Sequence, residues 1–207
     1  MTSAPGMVFI IDDDAGVRTA MQRLLKSVGL SAEVFAAPQD FLKRKRPDVS
    51  SCLILDVRLP DTSGLEVQRK LVEAGVHIPI IFITAYADVP MTVKAMKSGA
   101  VEFLTKPVRD QDLVDAIQQA LDRDRRVRQE QNEMAELRRR YERLTPRERQ
   151  VMRLVALGMP TKQIASVLGT SEVTAKVHRS HMMHKMQAES LVELGRIAER
   201  LKIPAKE

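Results

Sequence analysis

Five short apolar runs, each followed by a stretch with helical periodicity, occupy the first part of this 207-residue chain. The apolar runs are MVFII (7–11), AEVFA (32–36), SCLILD (51–56), IPIIFIT (78–84) and EFLT (102–105). The helical stretches are 15–28, a segment through Phe41 and Leu42, 65–75, 89–100 and 110–121. Short apolar strands that alternate with amphipathic helices are typical of a parallel sheet covered on both faces. The sequence therefore predicts an α/β fold, a doubly wound (βα)5 parallel-sheet domain over residues 1–121.

From residue 144 onward the pattern is helical only, with short connections. The predicted helices are 146–157, 161–168, 171–186 and 190–201. Thr145 is a suitable N-cap, Pro146 occupies the first helical position, and Glu148 completes a capping box. The sequence predicts an all-α domain of four helices over residues 144–207.

Residues 122–143 contain no Gly or Pro and many helix-forming residues, which predicts a helical linker. Apolar side chains recur at seven-residue spacing: Leu113, Ala120, Val127, Met134 and Tyr141, with Ala116, Leu137 and Leu144 at an offset position. Arg123 and Glu130 interrupt the offset series. Two alternatives stay open here, a short imperfect coiled coil or a monomeric helical linker.

Charge is unevenly distributed along the chain. Residues 1–121 hold 14 Lys and Arg against 15 Asp and Glu, a net charge of −1, whereas residues 122–207 hold 19 against 12, a net charge of +7. A basic excess confined to one part of a chain indicates an anionic partner, most often nucleic acid or a membrane surface.

The apolar runs are all far shorter than the roughly 20 residues that span a bilayer. The N-terminus lacks a basic leader and a small-residue cleavage site. The single cysteine, Cys52, lies in an apolar run, where a buried inert thiol is expected. We therefore expect a cytoplasmic protein with no membrane partner.

Acidic residues follow two of the predicted strands. The first strand is followed by Asp12, Asp13 and Asp14, the third ends at Asp56, the fourth ends at Thr84, and the fifth leads into Lys106. Because the carboxyl ends of parallel strands open on one edge of a sheet, we expect Asp12, Asp13 and Asp56 to converge. Converging carboxylates repel one another, and an all-oxygen set of ligands suits Mg²⁺.

The chemistry that fits this edge is attack by the Asp56 carboxylate on phosphorus, which forms an acyl phosphate. Mg²⁺ and Lys106 would neutralise charge on the phosphoryl oxygens, and Thr84 could donate a hydrogen bond to them. Taken singly, each residue has a simpler interpretation: a helix cap for the acidic run, a strand position for Thr84 and a surface charge for Lys106. Their coincidence at one edge favours a phosphoryl-transfer site.

The segments IIDDD, LILDVRLP, FITA and FLTKP stand in the order and spacing of the receiver domain of bacterial two-component response regulators, which residues 7–121 resemble. The resemblance implies that Asp56 accepts a phosphoryl group from a sensor histidine kinase. It implies further roles: Mg²⁺ held by Asp12, Asp13, Asp56 and the backbone carbonyl of Arg58, a switch pair of Thr84 and Phe103, and Lys106 before a cis Pro107. The stretch DVPMTVKAMKSGAVEFLTKP, residues 88–107, is similar to receivers of the FixJ type. That likeness implies pairing through the surface of the fourth helix and fifth strand, roughly residues 89–108.

An independent phosphatase is disfavoured. Aspartate-nucleophile phosphatases use a second Asp two residues beyond the nucleophile, and this chain has Arg58 there. We expect no enzyme in its own right, only slow self-hydrolysis of the acyl phosphate.

Residues 161–186 have the pattern of a helix-turn-helix, whose second helix enters the major groove. The pattern predicts that Ile164, Ala165 and Leu168 of the first helix pack against Val173 and Val177 of the second. Polar and basic side chains of the second helix are then free to face DNA. The alternative is an all-α bundle with a merely basic surface.

The segment LTPRERQVMRLVALGMPTKQIASVLGTSEVTAKVHRSHMMHKM and the helix beyond it, residues 144–203, resemble the LuxR-type DNA-binding domain of the NarL/FixJ class. The resemblance places Lys176 and Val177 at base edges. Other candidate DNA-binding residues are Thr161, Lys162, Thr174 and Arg179, and Ser180 is a further polar residue free to face DNA. Thr161 stands where Asn is usual and Ala175 where Val is usual. The last helix, about 190–201, would mediate pairing on DNA.

These patterns predict a phosphorylation-dependent transcriptional regulator that binds promoter DNA as a homodimer. RNA polymerase is a further candidate partner, and activation is favoured over repression by analogy. A different class of function stays open, a phosphorylation-independent DNA-binding protein whose receiver is an interaction module.

Overall fold

A computed structural model of the chain describes residues 6–203. The chain divides into two compact units, with the boundary between Arg128 and Gln129. The predicted domain ranges 1–121 and 144–207 include residues 1–5 and 204–207, which lie outside the described residues. Between residues 6 and 203 no helix is long and apolar enough to span a membrane.

The first unit is built on a five-stranded parallel sheet with strand order β2-β1-β3-β4-β5. The strands are β1 Met7–Ile11, β2 Ser31–Phe35, β3 Ser51–Asp56, β4 Ile80–Thr84 and β5 Glu102–Thr105. Each strand is followed by a helix: α1 Ala15–Ser27, α2 Pro38–Lys43, α3 Gly64–Glu73, α4 Val89–Lys97 and α5 Asp110–Glu142. The predicted α/β doubly wound fold and its five βα rounds are confirmed, with element boundaries that differ by a few residues.

Apolar clusters cover both faces of this sheet, because successive side chains of a strand point to opposite sides. One cluster joins β1, β3 and β4 to α1 and α5, and includes Ile10, Ile54, Ile83, Leu25 and Ile117. The other joins the same strands to α3, and includes Phe9, Leu53, Phe82, Val67 and Leu71. All six residues of β3 are buried, including Cys52 as expected. With both faces covered, the edge formed by the carboxyl ends of the strands is left for chemistry.

Helix α5 joins two predicted segments, the helix 110–121 and the linker 122–143, into one helix. Most of its seven-residue apolar series is used inside the two units. Leu113, Ala116 and Ala120 are buried in the core of the first unit, whereas Leu137 and Leu144 are buried in that of the second. Val127 and Met134 lie between these two groups. Val127 is 39% exposed, and Met134 is half-buried. Only this short middle part of the series is left for contacts outside the two cores.

An ion-pair network extends the first unit along α5 past residue 121. The carboxylate of Asp124 is buried and accepts hydrogen bonds from the backbone N–H of Ser51 at 2.9 Å and from Nε of Arg128 at 2.7 Å. Arg128 also donates to the carboxylate of Asp48 at 2.7 Å. These bonds attach the helix to the first residue of β3, which explains why the compact unit ends within the predicted linker.

The second unit contains, beyond the end of α5, the four predicted helices: α6 Pro146–Ala156, α7 Thr161–Val167, α8 Glu172–Met186 and α9 Leu191–Arg200. The predicted capping box begins α6. The hydroxyl of Thr145 accepts from the backbone N–H of Glu148 at 3.3 Å, and the Glu148 carboxylate accepts from the backbone N–H of Thr145 at 2.8 Å. Pro146 occupies the first helical position, where its missing N–H is not needed.

The packing face of α8 differs from the prediction. Ile164 and Ala165 of α7 are buried and Leu168 is partly buried, as predicted. The prediction that Val173 and Val177 pack inward is wrong, because their side chains are 72% and 46% exposed. Helix α8 instead buries Ala175, Met182 and Met186. The small side chain of Ala175 permits close approach of a neighbouring helix, and unbranched Met side chains fill irregular gaps.

Candidate functional site

The carboxyl ends of three neighbouring strands bring the predicted acidic residues together. Asp12 directly follows β1, Asp56 is the last residue of β3, and Thr84 is the last residue of β4. Since β1 pairs with β3 and β3 with β4, these three positions lie side by side on one edge. Lys106 follows β5 and reaches into the same edge.

The carboxylates of Asp12, Asp13 and Asp56 form one cluster, with an oxygen of each within 4.8 Å of the others. Asp12 and Asp56 are buried, at 1% and 7% exposure, whereas Asp13 is exposed. Nζ of Lys106 donates to Asp12 Oδ2 at 2.7 Å and to Asp56 Oδ2 at 2.5 Å. We call this group, Asp12, Asp13, Asp56 and Lys106, the acidic pocket.

The acidic run after β1 divides between two tasks. Asp14 caps α1, because its carboxylate accepts from the backbone N–H groups of Gly16 at 2.6 Å and Val17 at 3.1 Å. These two hydrogen bonds lower the pKa of Asp14 below its ordinary value. Helix capping therefore accounts for Asp14, and it leaves Asp12 and Asp13 available to the acidic pocket.

Burial and ion pairing oppose each other within the acidic pocket. Burial raises the pKa of Asp12 above its ordinary value, against the hydrogen bonds from Lys106 and from the backbone N–H of Asp14. For Lys106 burial by itself lowers the pKa, but the hydrogen bonds to Asp12 and Asp56 outweigh it, so the pKa is raised. The ammonium group therefore stays charged between the two buried carboxylates.

The donor set fits a hard divalent cation. Among the described residues, Lys106 is the one cationic side chain that bonds to any of the three clustered carboxylates, and it bonds to Asp12 and Asp56, so negative charge remains in excess. Three carboxylates from two adjacent strand ends offer oxygen ligands only, which is the preference of Mg²⁺. Asp13, being exposed, leaves one side of the cluster open to solvent.

The turn after β3 orients the Asp56 side chain. The backbone N–H of Arg58 donates to Asp56 Oδ1 at 2.8 Å, so each carboxylate oxygen of Asp56 has one partner. Gly64 begins α3 directly against this turn and donates to the carbonyl of Val57 at 2.9 Å. A Cβ at Gly64 would overlap the carbonyl oxygen of Asp56 and lie 3.0 Å from the Cα of Val57. Only glycine allows α3 to begin this close to the end of β3.

Thr84 and Phe103, the predicted switch pair, lie on the two last strands. Thr84 is fully buried, and its hydroxyl is 3.3 Å from both the backbone nitrogen and the carbonyl oxygen of Tyr86. Phe103 is half-buried, with its ring centroid 6.1 Å from that of Phe82.

The Tyr86 ring is 65% exposed and lies under the Arg58 guanidinium, 4.4 Å from its central carbon. The sequence prediction missed this contact between Arg58 and Tyr86. The signal for it is an aromatic residue two positions beyond Thr84 and a cationic residue two positions beyond Asp56.

The peptide bond between Lys106 and Pro107 is cis, as the resemblance to receivers implies. Lys106 also donates its backbone N–H to the carbonyl of Thr84 at 2.8 Å. The backbone of Lys106 is thus tied to the end of β4 while its side chain spans to the ends of β1 and β3.

The second candidate site is the exposed side of the helix-turn-helix, α7 and α8. Arg179 of α8 donates to the hydroxyl of Thr161 of α7 at 2.9 Å, which links two of the predicted DNA-binding residues. The hydroxyls of Ser171 and Thr174 are 2.8 Å apart at the start of α8. Lys176 is exposed, and its Nζ lies 3.8 Å from the Glu172 carboxylate.

The other predicted DNA-binding residues, Lys162, Val177 and Ser180, are exposed as well. Val173 belongs to the same exposed surface of α8, although the sequence prediction placed it in the core. The basic and hydroxyl-bearing neighbours of Val173 on the helix were the available signal that this side of α8 is exposed.

Two family models match the chain, one over each unit. The response regulator receiver domain matches residues 8–118, and the LuxR family of bacterial regulatory proteins matches residues 142–203. Nodulation protein W of Bradyrhizobium diazoefficiens is 49% identical over 98% of this chain and 89% of its own length. The transcriptional regulatory protein FixJ of Rhizobium meliloti is 39% identical over 92% of this chain and 94% of its own length.

Solved structures agree with these matches. A structure of the response regulator StyR has a TM-score of 0.88 at 45% identity, and the match covers 95% of this chain and all of that one. A structure of the N-terminal part of FixJ has a TM-score of 0.53 at 36% identity over 57% of this chain. The chain therefore belongs to the response regulators of the NarL/FixJ class, transcription regulators that join a receiver domain to a LuxR-type helix-turn-helix domain.

Proposed function

We propose that Asp56 accepts a phosphoryl group from a sensor histidine kinase and that this modification controls binding of promoter DNA. The observation that carries the proposal is the acidic pocket, where Asp56 lies at the open edge of the sheet beside Lys106 and two further carboxylates. A carboxylate nucleophile in such a place needs only positioning and neutralisation of the charge on the phosphoryl group.

The transfer step uses few residues of the chain. A carboxylate oxygen of Asp56 attacks phosphorus, the bond to the histidine nitrogen of the donor breaks, and that nitrogen keeps the electron pair of the broken bond. Lys106, which bonds to Asp56 Oδ2 in the resting pocket, would exchange that contact for an oxygen of the phosphoryl group. The hydroxyl of Thr84 would donate a second hydrogen bond after releasing Tyr86.

The residues proposed to hold Mg²⁺ are Asp12, Asp13, Asp56 and the backbone carbonyl of Arg58. When bound, Mg²⁺ would neutralise charge on the phosphoryl oxygens. Arg58 occupies the place where an aspartate phosphatase has its acid–base carboxylate, so we propose that the acyl phosphate hydrolyses only slowly.

The proposed output of phosphorylation is a change in the surface of α4 and β5, residues 89–108. Movement of Thr84 toward the phosphoryl group would free space for Phe103, which already packs against Phe82. This surface exposes Val89, Val93 and Met96 at 76%, 45% and 40%, which supports its proposed use in homodimer formation. A complete change from 1:99 to 99:1 between inactive and active states requires about 5.5 kcal/mol.

In the second unit we propose that α8 enters the major groove of promoter DNA. The proposed DNA-binding residues are Thr161, Lys162, Thr174, Lys176, Val177, Arg179 and Ser180, all exposed or half-buried on α7 and α8. The functional division would be a receiver over 1–121, a helical linker over 122–143 and a DNA-binding domain over 144–207. Pairing through α9 would place two copies of α8 on two half-sites, and RNA polymerase is a candidate partner at the promoter.

The second candidate function is DNA binding without phosphorylation, with the receiver as an interaction module. One observation favours this second function: the partly buried Lys106 bridges the buried carboxylates of Asp12 and Asp56, and a chain can retain such ion pairs for its structure alone. The two functions differ in what happens when the Asp56 carboxylate is removed.

The test is incubation of the full chain with acetyl phosphate and Mg²⁺, followed by intact mass, oligomeric state and promoter binding, alongside Asp56→Asn. We expect the mass of one phosphoryl group to be gained by the wild-type chain and not by the variant, together with dimers and tighter DNA binding. Labelling that leaves oligomeric state and DNA affinity unchanged would contradict the proposed output. Absence of labelling, with a panel of histidine kinases also supplied, would favour the second candidate function.

A further inference from the structure

Two valines form an apolar ridge on the outer side of α8. Val173 is 72% exposed and Val177 is 46% exposed, and neither belongs to the core cluster of the second unit. They lie one helical turn apart, on the side of α8 opposite its buried residues Ala175, Met182 and Met186. The ridge is therefore the part of α8 that projects farthest from the domain.

The groups around this ridge indicate what it contacts. Lys176 and Ser180 flank the valines on the exposed side of α8, and the hydroxyls of Ser171 and Thr174 lie at the start of the helix. Lysine side chains and hydroxyl groups complement phosphates and base edges rather than an apolar protein surface. Glu172 pairs with Lys176 at 3.8 Å, so it is the hydroxyl groups and the net charge of +7 over residues 122–207 that favour DNA as the occupant, although the ridge itself is apolar.

In the major groove one base edge presents an apolar group, the C5-methyl group of thymine. We propose, building on the DNA binding proposed above, that Val173 determines sequence specificity by contacting a thymine methyl group, next to a second thymine contacted by Val177. Val173 is the second residue of α8, and residues at the start of a recognition helix are the ones that contact base edges.

The helix geometry sets the spacing of the two thymines. Four residues correspond to a rise of about 6 Å along a helix, and base pairs in DNA are about 3.4 Å apart. The two thymines should therefore lie within about two base pairs of each other in one half-site. Val173 sets the outer of the two positions, nearer the start of α8.

The experiment removes single methyl groups from the DNA. The full chain, treated with acetyl phosphate and Mg²⁺, selects duplexes from a random library, and each thymine of the selected half-site is then replaced by deoxyuridine. We expect affinity to fall about fourfold at each of two nearby thymines, the effect of losing burial of one methyl group. Val173→Ala should bind DNA more weakly, and its affinity should no longer fall when one of the two thymines is replaced by deoxyuridine. Val177→Ala should lose this deoxyuridine response at the other thymine.

Val167→Ala is the matched control, since Val167 is a 61% exposed valine of α7 outside the ridge, and it should keep both responses. If Val173→Ala retains both deoxyuridine responses, the specificity assignment is wrong. If Val173→Ala instead tightens binding to all duplexes equally, another part of the protein covers the ridge, and the assignment is again wrong. A selection that enriches no sequence would overturn the proposed DNA binding itself, which is a distinguishable outcome.

Discussion

The acidic pocket and the exposed side of α8 place their functional side chains in opposite environments. In the acidic pocket Asp12 and Asp56 are almost completely buried, and Lys106 bonds to both at 2.7 Å and 2.5 Å. On α8 Lys176 and Val173 are exposed, and the ion pair of Lys176 with Glu172 is long at 3.8 Å. Charges that are buried must be partnered inside the chain, whereas exposed ones are free to be partnered by a ligand.

The two regions differ in whether their side chains are held in place before a ligand arrives. The acidic pocket holds Asp56, the proposed nucleophile, between two hydrogen-bond donors, so an incoming phosphoryl group would meet a geometry that already exists. The surface of α8 holds few of its side chains in place, so sequence readout depends on what the DNA presents. The two regions should accordingly respond to substitution in different ways.

The largest expected difference concerns the two lysines. Lys106→Met leaves two buried carboxylates without their cation, and we expect it to destabilise the first unit by about 3 kcal/mol in the absence of Mg²⁺. Lys176→Met removes an exposed and weak ion pair, and we expect a change below about 0.5 kcal/mol in the second unit. Hydrogen exchange of β3 and α8 amides in the full chain measures both effects.

Addition of Mg²⁺ extends this test, because the cation should restore part of the stability that Lys106→Met removes. Equal stability of Lys106→Met and the wild-type chain in the presence of chelator would show that the carboxylates need no partner. The contrast between the regions would then be false.

Substitution of two glycines by alanine should change the stability of the chain by smaller amounts, and in opposite directions. Gly64→Ala forces a Cβ against the backbone of Asp56 and Val57, and we expect about 2 kcal/mol of destabilisation and slower phosphorylation. Gly195→Ala in α9 meets no atom within 4 Å, and we expect about 0.5–1 kcal/mol of stabilisation from the higher helix propensity of Ala. Denaturant unfolding and the rate of labelling by acetyl phosphate measure the pair. Unchanged labelling in Gly64→Ala would mean that the turn tolerates movement.

The smallest expected effect is a change in the pH dependence of stability, and it arises from Glu148, a buried carboxylate of the second unit. Burial tends to raise the pKa of Glu148, but hydrogen bonds from Lys185 at 2.7 Å and from Thr145 outweigh it, so the pKa lies below its ordinary value of 4.5. A lowered pKa means that the unfolded state binds the proton more tightly. This contribution to stability is therefore present above pH 4.5 and is lost as the pH falls through the lowered pKa.

The measurement is the free energy of unfolding of the second unit between neutral pH and pH 3. Glu148→Gln should flatten this dependence on the acid side, whereas the control Glu199→Gln, at an exposed position in α9, should leave it intact. A profile that stays steep in Glu148→Gln would assign the acid sensitivity to other groups.

Much of the first unit was predictable because its signals are local. Strands of four to six apolar residues and helices of regular period specify a covered parallel sheet, and the rule that parallel strands end on one edge was enough to bring Asp12, Asp56 and Thr84 together. The pairing of Arg58 with Tyr86 was not predictable in this way, because it depends on how two turns approach each other.

The inward placement of Val173 and Val177 failed for a related reason. A helix with apolar residues on more than one side can pack through either, and α8 carries both a valine ridge and an alanine–methionine face. The choice between them belongs to the neighbouring helices, since the face with the small Ala175 allows the closest approach.

The sequence by itself determined which residues follow which strand, where α6 begins, and that the chain consists of a sheet region followed by helices. These properties depend on short stretches of chain, through strand and helix periodicity and through capping. Tertiary structure alone decided that Asp14 caps α1 while Asp12 faces Lys106, that the ends of the α5 apolar series are buried in two cores, and that Val173 faces outward. The physical reason is that burial is a property of the assembled neighbours, and a residue acquires it only when packing selects one of its faces.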